Sequence, residues 1–365
     1  MRVVYDYQML SAQQYGGISR YFVELATHVA RIPGAEVQII APLFRSRFLA
    51  TRRNLAQTKG MDVSALSWLP VRVVQSVNLP LFRMLAAVAK PEIVHETYYA
   101  EHRTAPESAK IVTTVHDTIP ERLPHLFRGA AQHREMIRKA VGRADHIICV
   151  SESTRRDLLE LYSVNPEHVA VAHLASSIVP SGSEPMDIGS PYFLHVGGRY
   201  AYKNFHGILQ AFRVSGLHRT HKIVAFSSQS PAQEDFELMD NLGIPRVSVV
   251  FTGGSDDQLA RYYAGAEALV FASMYEGFGI PLLEAMTCGC PVITSNVSSM
   301  PEVGGDAALY CDPYDTDSLA GAMMKIASSL EIRAELIARG RARAQQFSWE
   351  KCAAETYAVY QKVTQ

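Results

Sequence analysis

The chain has little of what announces a special chemistry. Its 365 residues include only five cysteines, Cys149, Cys288, Cys290, Cys311 and Cys352, an odd number set mostly in apolar surroundings. Cys288 and Cys290 form a C-x-C, but no further thiol or imidazole stands nearby at zinc-ligand spacing. The five read as small apolar residues of a protein in a reducing compartment. Charge of either sign is not in excess: 35 Lys and Arg face 36 Asp and Glu, so nothing global draws the chain to nucleic acid. The chain opens on a strand-like Val3-Val4-Tyr5 with no charged leader and apolar signal core, and shows no apolar run of the ~18 to 20 residues that a spanning helix needs. The expectation is a soluble cytoplasmic protein, at most peripheral on the inner face of the membrane.

What is present is a repeated alternation. Short apolar strand candidates at 2–5, 37–41, 93–95, 111–115, 146–150 and 169–171 alternate with helix-length amphipathic segments, the signature of an open parallel sheet. A second series follows at 192–196, 222–226, 247–251, 268–271, 292–294 and 308–310. Between them Ser176 to Pro191 is rich in Ser, Pro and Gly and has no apolar period, as a linker should. The fold class is therefore α/β with two Rossmann-like doubly wound domains, 1–180 and 190–346, facing across a cleft lined by the carboxyl ends of both sheets. Residues 347–365 form a last helix, capped by Ser348, that crosses back to the first domain.

The most informative stretch runs from Glu276 to Glu284. The run Ala268 to Phe271 predicts a buried strand and Ile280 to Met286 a helix, so Gly277, Phe278 and Gly279 lie where backbone amides open toward a ligand. Such a helix start favours anions, phosphate above all. Glu284 falls one turn into the helix, in reach of a sugar hydroxyl, and Glu276 guards the turn; neither carboxylate is expected in the core. After the strand Phe193 to Val196 come Arg199 and Lys203, a fork and a point charge suited to a diphosphate and to its departure, so that no metal is needed. Alone, the two cations read as solvated residues at the start of a surface helix; taken with the glutamate pair, they read as a diphosphate site. Near the N-terminus Gly16-Gly17 leads into a helix with Ile18, Phe22, Leu25 and Val29 on one face, which allows close approach of backbone to ligand or simply a tight turn. His116-Asp117 ends the strand Ile111 to Val115, either as a structural pair or as groups that position a reacting sugar or act as general base.

Taken in order, GGISRY, TVHDTIP, GGRYAYKN, EGFGIPLLE and FSWEKCA resemble the retaining GT-B glycosyltransferases of family four over nearly the whole chain. The E-x7-E spacing of EGFGIPLLE is the most specific part. The resemblance implies a hexosyltransferase that uses a nucleotide-diphosphate sugar as substrate, without cofactor or metal. Arg199 and Lys203 would bind the donor diphosphate, and Gly277 to Ile280 would offer amides. Glu276 would touch the donor sugar, Glu284 the ribose, and Gly16 and Gly17 the phosphates. The segment Thr252 to Asp257, with Ser255, resembles a loop near the nucleobase; Asp256-Asp257 reads equally as a helix cap. Relatives of this pattern commonly build O-antigens and other bacterial polysaccharides as mannosyl- or rhamnosyltransferases, which favours GDP-mannose ahead of UDP- and dTDP-sugars. A nucleotide-sugar epimerase on the same fold and a non-catalytic binding protein are the competing readings.

One local charge excess stands out. Residues 42–90 hold Arg45, Arg47, Arg52, Arg53, Lys59, Arg72, Arg83 and Lys90 against the single acid Asp62, interleaved with Phe44, Phe48, Leu49, Trp68, Leu69, Leu79, Leu81, Phe82 and Leu85. The segment reads as an attachment to an anionic membrane carrying a lipid-linked acceptor, or as a solvated basic face over ordinary core.

Overall fold

The computed structural model describes residues 1–52, 57–66, 68–180, 182 and 184–365. The chain divides into two compact units, Met1–Leu174 with Ser348–Gln365, and Ala175–Phe347.

The first unit carries a seven-stranded sheet of β1 (Arg2–Tyr5), β2 (Glu36–Phe44), β3 (Gln57–Asp62), β4 (Ile93–Glu96), β5 (Lys110–Val115), β6 (His146–Cys149) and β7 (Val169–Val171), in the order β3-β2-β1-β4-β5-β6-β7. Every adjacent pair is parallel. β4 and β6 are buried at every position, as strands covered on both faces by helices must be. β3 differs: its sequence QTKGMD has no buried residue, because it is the sheet's edge. The strand order reverses between β1 and β4, so the loops after these strands frame the crevice where ligands bind in such sheets.

The helix Trp349–Thr364 belongs to this unit. The Ser348 hydroxyl accepts the Lys351 amide at 3.1 Å and starts it, and Trp349, Cys352, Tyr357 and Tyr360 are buried. The Tyr360 hydroxyl lies 3.0 Å from that of Tyr5 and 2.6 Å from His95 Nδ1, so β1, β4 and the last helix share one buried polar contact.

The 42–90 segment is sorted by the fold rather than exposed as a whole. Phe44, Leu49 and Phe82 are fully buried. Arg45 is buried too and donates to the carbonyls of Leu66 and Leu69, while Arg52 pairs with the buried Glu24. These residues are core and bracing contacts, which corrects their assignment to a membrane face; Arg53 lies outside the described residues. The helix Val71–Ala89 also corrects the expectation that no segment reaches spanning length: it has 19 residues and a mean hydropathy of 1.2 over its most apolar window. Asn78 fastens it to β2 through both its amide atoms, Oδ1 to the Leu43 amide at 2.7 Å and Nδ2 to the Leu43 carbonyl at 2.9 Å.

The second unit carries β8 (Tyr192–Val196), β9 (Lys222–Phe226), β10 (Val249–Thr252), β11 (Ala268–Phe271), β12 (Val292–Ser295) and β13 (Leu309–Cys311), in the order β10-β9-β8-β11-β12-β13. Its pairs are parallel as well. Phe193, Ile223, Val270 and Ile293 project from the strands into a core closed by Phe205, Leu209, Phe212 and Met323. The order reverses between β8 and β11, which makes the segments after these two strands, 197–204 and 272–280, the walls of the unit's crevice. The fold is thus α/β with two Rossmann-like sheets, and four cysteines, Cys149, Cys290, Cys311 and Cys352, are buried free thiols. Cys288 is partly buried, and burial pushes its thiol up to about 12, so it stays protonated at neutral pH.

Candidate functional site

The two crevice-wall segments of the second unit meet through Lys203 and Glu276, whose Nζ and Oε1 are 2.6 Å apart. Lys203 ends a short turn and is followed by Asn204, which takes the left-handed conformation at φ 58°. That turn is held because Asn204 Nδ2 donates to the carbonyls of Ala272 at 3.1 Å and Pro313 at 2.7 Å. The Lys203 ammonium also lies over the rings of Phe271 and Tyr202, 4.9 and 5.4 Å from their centroids. Its side chain is 15 % exposed and that of Glu276 10 %, so the pair sits below the surface and is screened little.

The glutamate turn is clamped from β12's far end. Ser298, at φ 53°, accepts the Glu276 amide at 3.1 Å. The fully buried Ser299 hydroxyl lies 3.0 Å from the Glu276 carbonyl and 2.9 Å from the Phe278 carbonyl and donates into them. A non-glycine residue in the left-handed region costs energy and persists where the surroundings fix it. Gly279 then opens the helix Ile280–Thr287 at φ 109°, a conformation that suits glycine, with the Met300 methyl where a Cβ would point. In the first helical turn Pro281 has no N–H to offer and the Leu282 amide donates to the Gly279 carbonyl at 3.0 Å.

Both glutamates are buried, Glu276 at 8 % and Glu284 at 7 % exposure, which corrects the expectation that neither lies in the interior. Glu284 Oε2 accepts the Tyr263 hydroxyl at 2.9 Å; burial, and then this carboxylate, push the Tyr263 phenol well up. Phe278 is buried against Phe347, so what it offers a ligand is backbone.

Arg199 follows β8 as expected, yet its guanidinium is engaged. Nε donates to Asp235 Oδ2 at 2.9 Å, Nη2 to the Ser230 carbonyl at 2.7 Å, and the group lies over the Phe251 ring. Asp235 Oδ2 also accepts the Ala232 amide at 2.8 Å, so one carboxylate ties the arginine to the start of a helix. Ser255 serves as a helix cap, accepting the Gln258 amide at 3.3 Å while Gln258 Oε1 accepts the Ser255 amide at 3.0 Å. Asp256 and Asp257 form the first turn of that helix.

The remaining sequence candidates belong to the first unit. Gly16 is extended and precedes the helix Gly17–Val29, and among the described residues a Cβ on Gly17 would meet nothing within 4 Å. His116 follows β5; its backbone amide donates to the Tyr99 hydroxyl at 3.2 Å, and its ring packs edge-on to Tyr21 and Phe22. Burial lowers the His116 imidazole to about 3, so it is neutral, and Nε2 is buried with no hydrogen-bond partner among the described residues. Asp117 Oδ1 accepts the Ile119 amide at 3.1 Å, a local turn contact. Also in this unit, a cavity of about 680 Å³ opens beside the loops after β1 and β4, lined by Tyr7, Tyr98, Tyr99 and Arg72 among others.

Residues 15–175 match the profile described as Glycosyltransferase Family 4, and residues 182–343 that described as Glycosyl transferases group 1. The "O-antigen chain mannosyltransferase B" of Escherichia coli is 32 % identical over 282 residues, covering 72 % of both chains. This chain belongs to the family four glycosyltransferases. The "Serotype-specific mannosyltransferase WbdA" of Escherichia coli is 27 % identical over 263 residues, 67 % of this chain but 32 % of that longer protein. Among solved structures, the sucrose-phosphate synthase of Thermosynechococcus elongatus superposes with a TM-score of 0.78 at 19 % identity, covering 99 % of this chain and 98 % of the other, which shows the shared GT-B fold. In the Lys203–Glu276 contact a cation and a carboxylate meet, groups chemically able to stabilise a phosphate leaving group and to accept sugar hydroxyls.

Proposed function

We propose that this glycosyltransferase moves a mannosyl group from GDP-mannose to a saccharide acceptor in bacterial cell-surface polysaccharide synthesis, with retention at the anomeric carbon. The observation that carries the reading is Lys203 against Glu276 at the mouth of the Gly277 to Ile280 turn. The donor diphosphate takes the place of Glu276 as partner of Lys203, and the released carboxylate accepts hydroxyls of the donor sugar. Arg199 and the amides of 277–280 share the diphosphate charge, Glu284 holds the ribose and Ser255 borders the base. Gly16 and Gly17 supply open backbone for the phosphates. The neutral imidazole of His116 positions the reacting sugar, with Asp117 shaping its turn.

Chemically, the C1–O bond of the sugar phosphate breaks as an acceptor oxygen bonds to C1 from the same face. The acceptor proton passes to a donor phosphate oxygen, and the nucleoside diphosphate leaves with the bonding electron pair. The cations hold the charge that develops on the leaving group, so this reading assigns no step to a metal or cofactor. The mannosyltransferase names of the relatives favour mannose; UDP- and dTDP-sugars are the other donors. The acceptor is lipid-linked and the enzyme works at the cytoplasmic face of an anionic membrane, to which part of the 42–90 segment attaches.

The test is product analysis. The enzyme is incubated with GDP-mannose and mannose-terminated oligosaccharides, GDP release is measured, and the anomeric proton of the product is read by NMR. An α-linked product from the α-configured donor supports the reading. A β-linked product, or donor converted to an isomer without acceptor, refutes it.

A further inference from the structure

The helix Val71–Ala89 has three faces, each with its own surroundings. At about 100° per residue, Val74, Asn78, Phe82 and Ala86 fall on one side, and these are the buried residues that fasten it to the unit. About 120° away lie Arg72, Ser76, Leu79, Arg83 and Ala87, which line the 680 Å³ cavity and a second of about 660 Å³ that shares His102 with it. The third side carries Val73, Val77, Leu81, Met84 and Val88, all exposed, from 37 % at Leu81 to 74 % at Val88. Trp68, 74 % exposed, stands just ahead of the helix. A contiguous aliphatic stripe of this length, headed by an indole, is not left to water without reason.

Charge says what covers it. Between Asp62 and Glu92 the sequence has no acidic residue, while Arg72, Arg83 and Lys90 flank the apolar side. A second copy of the chain laid face to face would bring these cations together with no acid from either helix to offset them. Cations beside aliphatic side chains, with tryptophan at the boundary, match the anionic head groups and acyl chains of a bilayer surface. The helix lies along that surface and does not cross it, because Asn78 binds it to β2 and one side is packed on the unit.

We propose that the Val73–Val77–Leu81–Met84–Val88 face, with Trp68, is the surface by which this glycosyltransferase lies on an anionic lipid bilayer. The inference rests on the membrane-linked reading of the acceptor given above and locates it in the chain. Because the cavity-lining side of the same helix is the neighbouring one, the saccharide of a lipid-linked acceptor reaches Tyr98, Tyr99 and Arg72 while its lipid stays in the bilayer.

The test uses the full chain and vesicles of phosphatidylglycerol with phosphatidylethanolamine, against vesicles of phosphatidylcholine alone. The protein co-sediments with the anionic vesicles only, and its fluorescence shifts to the blue. The shift reports Trp68, because the other tryptophan, Trp349, is buried. Val77→Glu with Met84→Glu lowers the bound fraction about tenfold or more, and so does Arg72→Gln with Arg83→Gln, which leaves the apolar face intact. Binding to neither vesicle, equal binding to both, or binding unchanged in both variants overturns the proposal. A dimer in sedimentation velocity that Val77→Glu with Met84→Glu dissolves, without vesicle binding, overturns it in favour of an interface between copies. The rise in melting temperature caused by GDP-mannose is measured alongside and stays the same in Val77→Glu with Met84→Glu. Its absence from the wild type, with vesicle binding intact, refutes the donor reading and leaves the docking face supported.

Discussion

Lys203 and Glu276 stand 2.6 Å apart, one on the segment after β8 and the other on the segment after β11, each with its backbone fixed by side chains of its own unit. On the donor-site reading proposed above, a diphosphate competes with Glu276 for Lys203. Lys203→Ala and Glu276→Ala are each expected to lower turnover about a hundredfold or more, the scale of one preorganised electrostatic contact. The double variant should fall well short of the product of the two, since each single change already strands its partner. Steady-state kinetics of the four proteins checks this; near-normal turnover in both single variants removes the pair from the site.

Asp235 is a positioning residue for Arg199, which it holds through Nε. Asp235→Asn should raise the donor KM about three- to tenfold and leave kcat within about twofold, because the contact acts on binding rather than on the reacting bond. A fall in kcat with KM unchanged speaks against this role.

The Glu276 turn depends on two residues with no side-chain role toward a ligand. Ser299→Ala leaves the carbonyls of Glu276 and Phe278 without their buried donor and is expected to cost about 1–3 kcal/mol. Gly279→Ala forces a side chain onto φ 109° and should cost about 1–2 kcal/mol. Denaturant titration measures both, and losses below about 0.5 kcal/mol would show that the turn gives way easily.

Stability should fall with acid. Burial lowers His95 and His116 to about 3 in the folded chain, below the ordinary 6.5, so the unfolded chain binds protons that the fold refuses. Their contribution is complete above pH 6.5 and drains away as the pH falls toward 3, by about 1.4 kcal/mol per histidine at pH 5.5. Asp6 acts in the opposite sense: burial, and then Glu96, raise it to about 6, so the fold binds its proton more readily below that value. Two histidines outweigh one aspartate, and the melting temperature should drop between pH 7 and 5. His116→Gln should flatten that slope; an unchanged slope assigns the loss to other groups.

The alternation of apolar runs and amphipathic segments made both sheets and the fold class legible, because strands covered on both faces are written in uninterrupted Val, Ile, Leu and Phe. β3 escaped because an edge strand with no buried residue has no such run. The motifs also led to the family. What sequence could not convey was the company each residue keeps. Arg199 was readable as a cation after a strand but not as the partner of Asp235, 36 residues on. Asn204, Ser298 and Ser299 act through backbone contacts across loops and carry no spacing signal. Glu276 and Glu284 read as exposed because charge usually is; here one is buried against a lysine and the other accepts a tyrosine hydroxyl. In the basic segment, too, burial was not legible: Arg45 and Phe44 turn inward while the Val77 face of the helix that follows turns out.

The central claim, a nucleotide-diphosphate sugar seated at Lys203, Glu276 and Arg199, is tested most directly by a thermal-shift panel of GDP-, UDP- and dTDP-sugars, since a ligand of the native state must raise the melting temperature. The account predicts that GDP-mannose gives the largest rise and that Lys203→Ala and Arg199→Ala abolish it. No shift with any of the three donor classes, or a shift that survives both substitutions, would contradict it.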